Sequence, residues 1–234
     1  MSRVDGLDIL RGFAILLMII FHTSYDLNYF NYIDIKITKD PFWLNFRVLI
    51  VTLFLLAVGI SLYLTHKDGI KWQKVKKRAF ILAVASILVT VATYIVFPNE
   101  WVYFGILHSI LVLSILALPF INRGYLSLLL AVAILIGYNF YNINMHPLFN
   151  LLQKPLNLPT NTVDLAPIIP WFSVVLVGLS IGSLNLYKRV FSLKLFKIDN
   201  NFTNLLKILG KNSLFVYIIH QPVIFGMLFL IKNI

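Results

Sequence analysis

Residues 48–66 read VLIVTLFLLAVGISLYLTH, nineteen consecutive positions without Asp, Glu, Lys or Arg. A helix needs about 20 mainly apolar residues to cross the hydrocarbon core of a bilayer. Other long uncharged runs cover 79–99, 101–122, 124–153, 165–187 and 212–231, and a further apolar run extends from about residue 9 to residue 27. Because these runs lack the polar alternation of barrel strands, they predict transmembrane α-helices.

The predicted fold is an all-α, polytopic membrane helix bundle with about seven transmembrane helices. We place them near 9–28, 43–65, 78–97, 104–121, 126–141, 169–187 and 211–231. The sequence contains no evident internal repeat and no stretch typical of a linker. We therefore expect one transmembrane domain over residues 1–234.

The composition supports this class of protein. Of the 234 residues, 59% are hydrophobic and 12% are charged, and the mean hydropathy is +0.86. A soluble domain carries roughly 25% charged residues, and disordered chains lack so many aliphatic and aromatic side chains. The absence of cysteine excludes disulfides, thiolate metal sites and cysteine nucleophiles.

Basic residues predict the orientation of the chain. The net charge is +11, and Lys and Arg are concentrated in loops 66–78 and 188–211. With seven helices, both loops and the N-terminus lie on one side, which then carries fifteen of the twenty basic residues. Since positive loops face the cytoplasm, we predict a cytoplasmic N-terminus in a multi-pass cell-membrane protein, with the bilayer rather than a nucleic acid as its partner.

Three histidines fall within the predicted spans, namely His22, His108 and His220. An ionisable residue inside a spanning helix is a functional-site hypothesis, since its burial in hydrocarbon is costly. At a rise of about 1.5 Å per residue the three lie at similar depth, so we predict that they share a polar cavity opening to the outer face. The alternative is that each is a hydrogen-bonded structural residue.

His22 and Asp26 are four positions apart and share one face of a helix. A carboxylate that accepts from one imidazole nitrogen fixes the tautomer and makes the other nitrogen a better base. We therefore predict His22 as a base oriented by Asp26. The alternative is that Asp26 is an interfacial residue at the outer helix end.

The stretch His220-Gln221-Pro222 predicts a broken helix beside two polar side chains. Pro222 has no N–H to donate to the carbonyl of Ile218, so a kink would leave a free acceptor next to the histidine. A simple packing kink is the alternative.

Asp8 and Arg11 lie at the cytoplasmic start of the first helix, at a spacing that allows an ion pair. Gly12 permits close approach of a neighbouring helix. The functional interpretation is that Arg11 binds a phosphate of a cytoplasmic donor, for which a guanidinium is well suited. The structural alternative is an ion pair alone.

Several catalytic signatures are absent. The sequence has no Walker loop, no dinucleotide-binding fingerprint and no histidine pair at metalloprotease spacing, and no metal site is predicted. Few acids lie near the predicted spans, which makes an ion-coupled transporter less favoured. The remaining histidine, amide, hydroxyl and arginine groups suit group transfer to a nucleophile.

Four segments carry a resemblance to a known family. They are RVDGLDILRGFAILLMIIFHTSYDL at 3–27, FGILHSI at 104–110, IIPWFSVVLVGLSIG at 168–182 and LGKNSLFVYIIHQPVI at 209–224. Together they resemble the heparan-alpha-glucosaminide N-acetyltransferase catalytic-domain family, in particular its short prokaryotic members.

The resemblance implies a transmembrane acyltransferase that takes an acetyl group from acetyl-CoA in the cytoplasm to a sugar amine or hydroxyl on the other face. By motif it implies donor-side roles for Asp8, Arg11 and Ser213. It implies catalytic-side roles for His22, Asp26, His108, His220 and Gln221.

The sequence therefore predicts transfer of an acetyl or similar acyl group from acyl-CoA to a glycan or lipid-linked acceptor. In this mechanism His22 deprotonates the acceptor, while His108, or His220 with Gln221, polarises the thioester carbonyl. A covalent acetyl-histidine and a homodimer are left open. Two other classes also remain: a transporter or flippase that uses the histidine cavity, and a non-catalytic membrane subunit.

Overall fold

The computed structural model describes residues 4–232, which form eleven α-helices and a 3₁₀ turn at Leu118–Phe120. The helices are α1 Asp5–Tyr29, α2 Pro41–His66, α3 Trp72–Val96, α4 Ile106–Leu116, α5 Gly124–Phe140, α6 His146–Gln153, α7 Ile168–Ser183, α8 Leu186–Val190, α9 Lys194–Lys197, α10 Asn201–Lys211 and α11 Ser213–Lys232.

Each of the seven predicted spans contains an apolar helix. Within residues 4–232, the helices α1, α2, α3 and α11 are long and apolar enough to cross a membrane, while α4, α5 and α7 are apolar but shorter, at 11, 17 and 16 residues. The predicted class, an all-α membrane protein, is confirmed. The number seven stays a prediction, because three of the helices fall short of a full crossing length.

Four helices lie in segments that the sequence analysis treated as loops, namely α6, α8, α9 and α10. Helix α10 begins with a capping box, in which Asn200 Oδ1 accepts from the Thr203 backbone N–H and Thr203 Oγ1 accepts from the Asn200 N–H. Its lysines and amides interrupt the apolar run, so it does not look like a span. Its apolar residues still recur with helical spacing, which is the signal that could have predicted it.

The chain divides into two compact units, each described by itself. The first unit comprises residues 1–57 and 188–234, and the second comprises residues 58–187. The expectation of one domain over the whole chain stays a prediction.

In the first unit, α1 and α10 approach each other closely through two glycines. A Cβ on Gly12 would overlap the backbone carbonyl of Leu206, and a Cβ on Gly210 would overlap that of Asp8. The predicted close approach at Gly12 is therefore confirmed, and α10 is the helix that makes it. Such backbone contact is possible only where a side chain is missing from both surfaces.

Helix α11 packs along the C-terminal half of α1 and runs in the same direction. His220 contacts His22, and further along both helices Phe225 contacts Phe30, with ring centroids 4.8 and 4.9 Å apart. Below these contacts, Ile15 and Met18 of α1 form an apolar cluster with Ile50 of α2. The first unit therefore holds two long helices side by side at the level of the histidine pair.

In the second unit, small residues again set the helix contacts. A Cβ on Gly59 would overlap the Val175 backbone, and one on Gly124 would overlap the Ser183 side chain. The segment before α4 pairs with the segment before α7 through a parallel bridge between Phe104 and Leu165. This pairing fixes the start of α4, where His108 lies.

Candidate active site

Two imidazole rings meet in the first unit. His220 Nε2 lies 3.2 Å from His22 Nδ1, and the rings meet edge to face at an interplanar angle of 66°. His220 is buried and His22 is half-buried. The contact brings together two of the three histidines predicted to share a cavity, and the shared cavity with its opening to the outer face stays a prediction.

The hydrogen bonds of the pair assign its tautomers. His220 Nδ1 lies 2.7 Å from the Tyr217 carbonyl oxygen, and His22 Nδ1 lies 3.0 Å from that of Met18. A carbonyl only accepts, so in the neutral pair both Nδ1 atoms carry the proton. His220 Nε2 then accepts from His22 Nδ1–H, and His22 Nε2 keeps its lone pair.

His22 Nε2 makes no hydrogen bond with any residue in the described range 4–232. The His22 ring therefore donates from Nδ1 to two acceptors and has an unbonded lone pair at Nε2. This is the arrangement of a general base, because the donation from Nδ1 stabilises the positive charge that develops when Nε2 takes a proton.

Asp26 makes a different contact from the one predicted. Its Oδ1 accepts from Gln221 Nε2 at 2.8 Å, whereas the His22 ring is held by His220 and by the Met18 carbonyl. The prediction that Asp26 orients His22 by a direct hydrogen bond is therefore wrong in this structure. The i, i+4 spacing places both residues on one face of α1, but each of them bonds to a residue of α11 instead. His22 contacts His220, and Asp26 accepts from Gln221.

Asp26 and Gln221 form a buried polar pair. Asp26 is fully buried, and both Asp26 Oδ2 and Gln221 Oε1 are buried without a hydrogen-bond partner among the described residues. An unsatisfied buried acceptor costs about 1–3 kcal/mol, more when it is charged. The pair lies about one helical turn beyond His22 on α1.

The predicted donor-side residues lie at the other end of α1. Arg11 Nη1 is 3.5 Å from Asp8 Oδ1, and Lys207 Nζ is 3.6 Å from Asp5 Oδ2. Asp8 is buried, while the Arg11 side chain is 24% exposed. The predicted Asp8–Arg11 ion pair is confirmed. The basic residues of the two ion pairs, Arg11 and Lys207, carry N–H groups of the kind that phosphate oxygens bind.

Ser213 is the first residue of α11, and it is half-buried. It follows Gly210, which packs on Asp8, by three positions. The structure thus places Ser213 near the same end of the first unit as Asp8. Its predicted contact with a donor stays a prediction.

His108 belongs to the second unit and uses both ring nitrogens there. Its Nδ1 accepts from the Gly105 backbone N–H at 3.3 Å, and its Nε2 lies 3.3 Å from Thr90 Oγ1, which itself donates to the Val102 carbonyl. These bonds cap the start of α4. The convergence of His108 with the other two histidines, and its predicted part in catalysis, stay predictions.

Pro222 lies inside α11, which extends from Ser213 to Lys232 through the proline. The predicted bend of this helix stays a prediction. Among residues 4–232, no group of three or more His, Asp or Glu side chains is placed to hold a metal ion.

A cleft of about 310 Å³, which the sequence analysis did not predict, lies at the segment that links α1 to the start of α2. It is lined by Asp34, Ile35, Lys36, Lys39, Asp40 and Trp43. Trp43 packs on Phe21, and Phe21 packs edge to face on His22, with centroids 6.1 and 5.6 Å apart. In the sequence, the charged residues clustered around Trp43 are the feature that could have indicated this cleft.

Together these features define a class: an all-α membrane protein with a histidine pair between two parallel apolar helices. The family model for the catalytic region of heparan-alpha-glucosaminide N-acetyltransferase matches residues 3–222, nearly the whole chain. The protein belongs to this family, and the family's name indicates acetyl transfer. No curated protein and no solved structure matches the chain.

Proposed function

We propose that this protein is a multi-pass acetyltransferase of the plasma membrane that uses acyl-CoA from the cytoplasm. It transfers an acetyl or similar acyl group to an amine or hydroxyl of a sugar or lipid-linked acceptor at the outer face. The observation that carries the proposal is the histidine pair, which leaves His22 Nε2 with a lone pair inside an apolar bundle. The family assignment supports the reaction class.

In the proposed reaction, His22 Nε2 removes a proton from the acceptor nitrogen or oxygen as that atom bonds to the thioester carbonyl carbon. The carbon–sulfur bond then breaks, CoA leaves as the thiolate, and the proton on His22 passes to the thiolate sulfur or to water. His220 is a positioning residue in this scheme, because its ring acts through His22. An imidazolium at His22 is stabilised by donation from Nδ1 to the Met18 carbonyl and to His220.

The donor's phosphates fit the end of the first unit that carries Arg11. Arg11 and Lys207 are both part-exposed there, with 24% and 22% of their side chains accessible. The distance along α1 from Arg11 to His22 is about 16 Å at a rise of about 1.5 Å per residue. A donor bound by its phosphates at Arg11 therefore has to reach half the depth of a bilayer to bring its thioester to His22.

Purified protein incubated with radiolabelled acetyl-CoA tests the proposed function. We expect steady release of CoA that depends on an added amine or hydroxyl acceptor, with the label recovered in the acceptor. Solute uptake into vesicles without CoA release would contradict the proposal and favour a transporter.

The proposed topology of seven spans has support from the direction of two helices. Helices α1 and α11 run in the same direction, as their ring contacts indicate. A chain whose first and last spans are parallel crosses the membrane an odd number of times. The four long helices alone would make these two spans antiparallel, so the shorter apolar helices have to contribute crossings.

Single cysteines test this topology without background, since the native chain has no cysteine. We expect Lys74→Cys to react with a membrane-impermeant thiol reagent only from the cytoplasmic face, and Asn157→Cys only from the outer face. Labelling of both from one face would contradict the seven-span arrangement.

A further inference from the structure

A small cavity lies where the end of α2, the start of α3 and the end of α4 meet in the second unit. Its volume is about 20 Å³, and its polar lining residues are His66, Arg78 and Ser114, while the others are apolar. His66 is the last residue of α2, Arg78 lies in the second turn of α3, and Ser114 lies in the last turn of α4. A buried water needs about 10–15 Å³, so the cavity holds one small ligand.

The polar groups at this cavity are hydrogen-bond donors. His66 Nδ1 accepts from the Lys71 backbone N–H at 3.1 Å, so in the neutral ring the proton is on Nε2. The His66 side chain is buried, and its Nε2–H has no hydrogen-bond partner within residues 4–232. Ser114 Oγ is likewise buried without a partner among the described residues. A guanidinium carries five N–H donors, so Arg78 can bind a ligand here and keep its other contacts.

The charge around the cavity is positive. Lys71, Lys74 and Arg78 lie close enough to His66 to act on its ring electrostatically. Asp68, which is exposed, is the only acidic residue from the start of α2 to the end of α3, and α4 has none. The C-terminal ends of α2 and α4 carry partial negative charges of about half an electron each, which the full charges of the three cations exceed. An anion is therefore favoured over a cation or a neutral ligand.

We propose that His66, Arg78 and Ser114 bind a chloride ion, or a monovalent anion of similar size, at the junction of α2, α3 and α4. An anion only accepts hydrogen bonds, so it satisfies the Nε2–H of His66, the hydroxyl of Ser114 and an N–H of Arg78 together. A water molecule would have to donate its own protons, and the only unused side-chain acceptor at the cavity is Ser114 Oγ. Polyatomic anions such as sulfate do not fit a volume of about 20 Å³.

The bound anion links three helix ends. Each of its ligands comes from a different helix, so the free energy of anion binding adds to the stability of the folded state. The site shares no residue with the histidine pair of His22 and His220. The inference therefore stands independently of the proposed function.

Thermal unfolding of the full-length protein in detergent tests the site. Sodium chloride replaces sodium gluconate stepwise at constant ionic strength, because gluconate is too large for the cavity. We expect the Tm to rise with chloride and to level off as the site fills, since a ligand that binds only the folded state stabilises it by mass action. Bromide, which is close to chloride in size, should have the same effect, and sulfate should have none.

Two variants and a matched control locate the ion. Ser114→Ala removes one donor and should raise the chloride concentration at half effect about 10- to 100-fold, the range of a hydrogen bond to a charged group. Arg78→Gln removes the positive charge and should abolish the chloride response. Ser86→Ala is the control, because Ser86 Oγ is also buried without a described partner but lies outside the cavity, and it should leave the response unchanged. Each variant is compared with itself in the two salts, so a lower basal Tm does not obscure the result.

Three results would overturn the inference. One is a wild-type Tm that is equal in chloride and in gluconate, which is the result expected of a cavity that holds water. Another is an equal rise with chloride and with sulfate, which would indicate a general salt effect. The third is an unchanged chloride response in both Ser114→Ala and Arg78→Gln, which would place the ion elsewhere. None of these results depends on whether the protein releases CoA.

Discussion

His22→Ala should lower turnover by about 10²–10⁴-fold, the usual contribution of a positioned general base. The reason is that His22 Nε2 carries the free lone pair of the histidine pair. Steady-state rates at saturating acetyl-CoA and acceptor measure this effect. The protein should remain inserted and should still bind acetyl-CoA, because Arg11, the proposed ligand of the donor's phosphates, lies eleven positions away along α1.

Arg11→Ala should give the opposite pattern and serves as the comparison for His22→Ala. Loss of the guanidinium should raise the KM for acetyl-CoA with a smaller effect on kcat at saturation, since in the proposed binding mode Arg11 holds the donor equally in the ground state and the transition state. Asp26→Asn should reduce kcat less than His22→Ala. Near-normal turnover of His22→Ala at saturation would make His108 or His220 the leading base and reduce α1 to a scaffold around the donor.

Gly12→Ala should strongly destabilise the protein. The added Cβ would overlap the Leu206 carbonyl, and a backbone atom cannot move aside as a flexible side chain can. Overpacking of this kind costs about 1–3 kcal/mol or more. Thermal unfolding in detergent should show a fall in Tm of about 5 °C or more.

Gly226→Ala is the matched control for Gly12→Ala. Gly226 also lies in a long helix of the first unit, but a Cβ there would meet no atom within 4 Å. Alanine should leave stability unchanged or raise it by about 0.5–1 kcal/mol through its better helix propensity. A similar loss of Tm in both variants would contradict the close contact of α1 with α10.

Much of the fold could be predicted because it follows from local properties of the chain. The uncharged runs at 48–66 and 79–99 are long enough to cross a bilayer, and the structure forms α2 and α3 there. The Asp8–Arg11 ion pair also follows from spacing on one helix. Amphipathic α10 was not predicted, because its lysines resemble those of a cytoplasmic loop and its apolar residues do not form one continuous run.

The candidate site was predictable in its residue types but not in its connections. The cost of placing histidines in hydrocarbon pointed to His22 and His220, and the structure brings those two rings into contact. For His108 the same argument gave no hint of its bonds to Gly105 and Thr90, because these depend on how the start of α4 meets α3.

The sequence by itself determined the membrane class, the helices and the polar residues they carry, since hydrophobicity and spacing along one helix are local quantities. Only the tertiary structure decided which residue orients which. His220 rather than Asp26 holds the ring of His22, and Gln221 takes the carboxylate of Asp26. The physical reason is that a hydrogen bond needs two groups within about 3 Å, and the groups that meet here are nearly 200 residues apart in the chain.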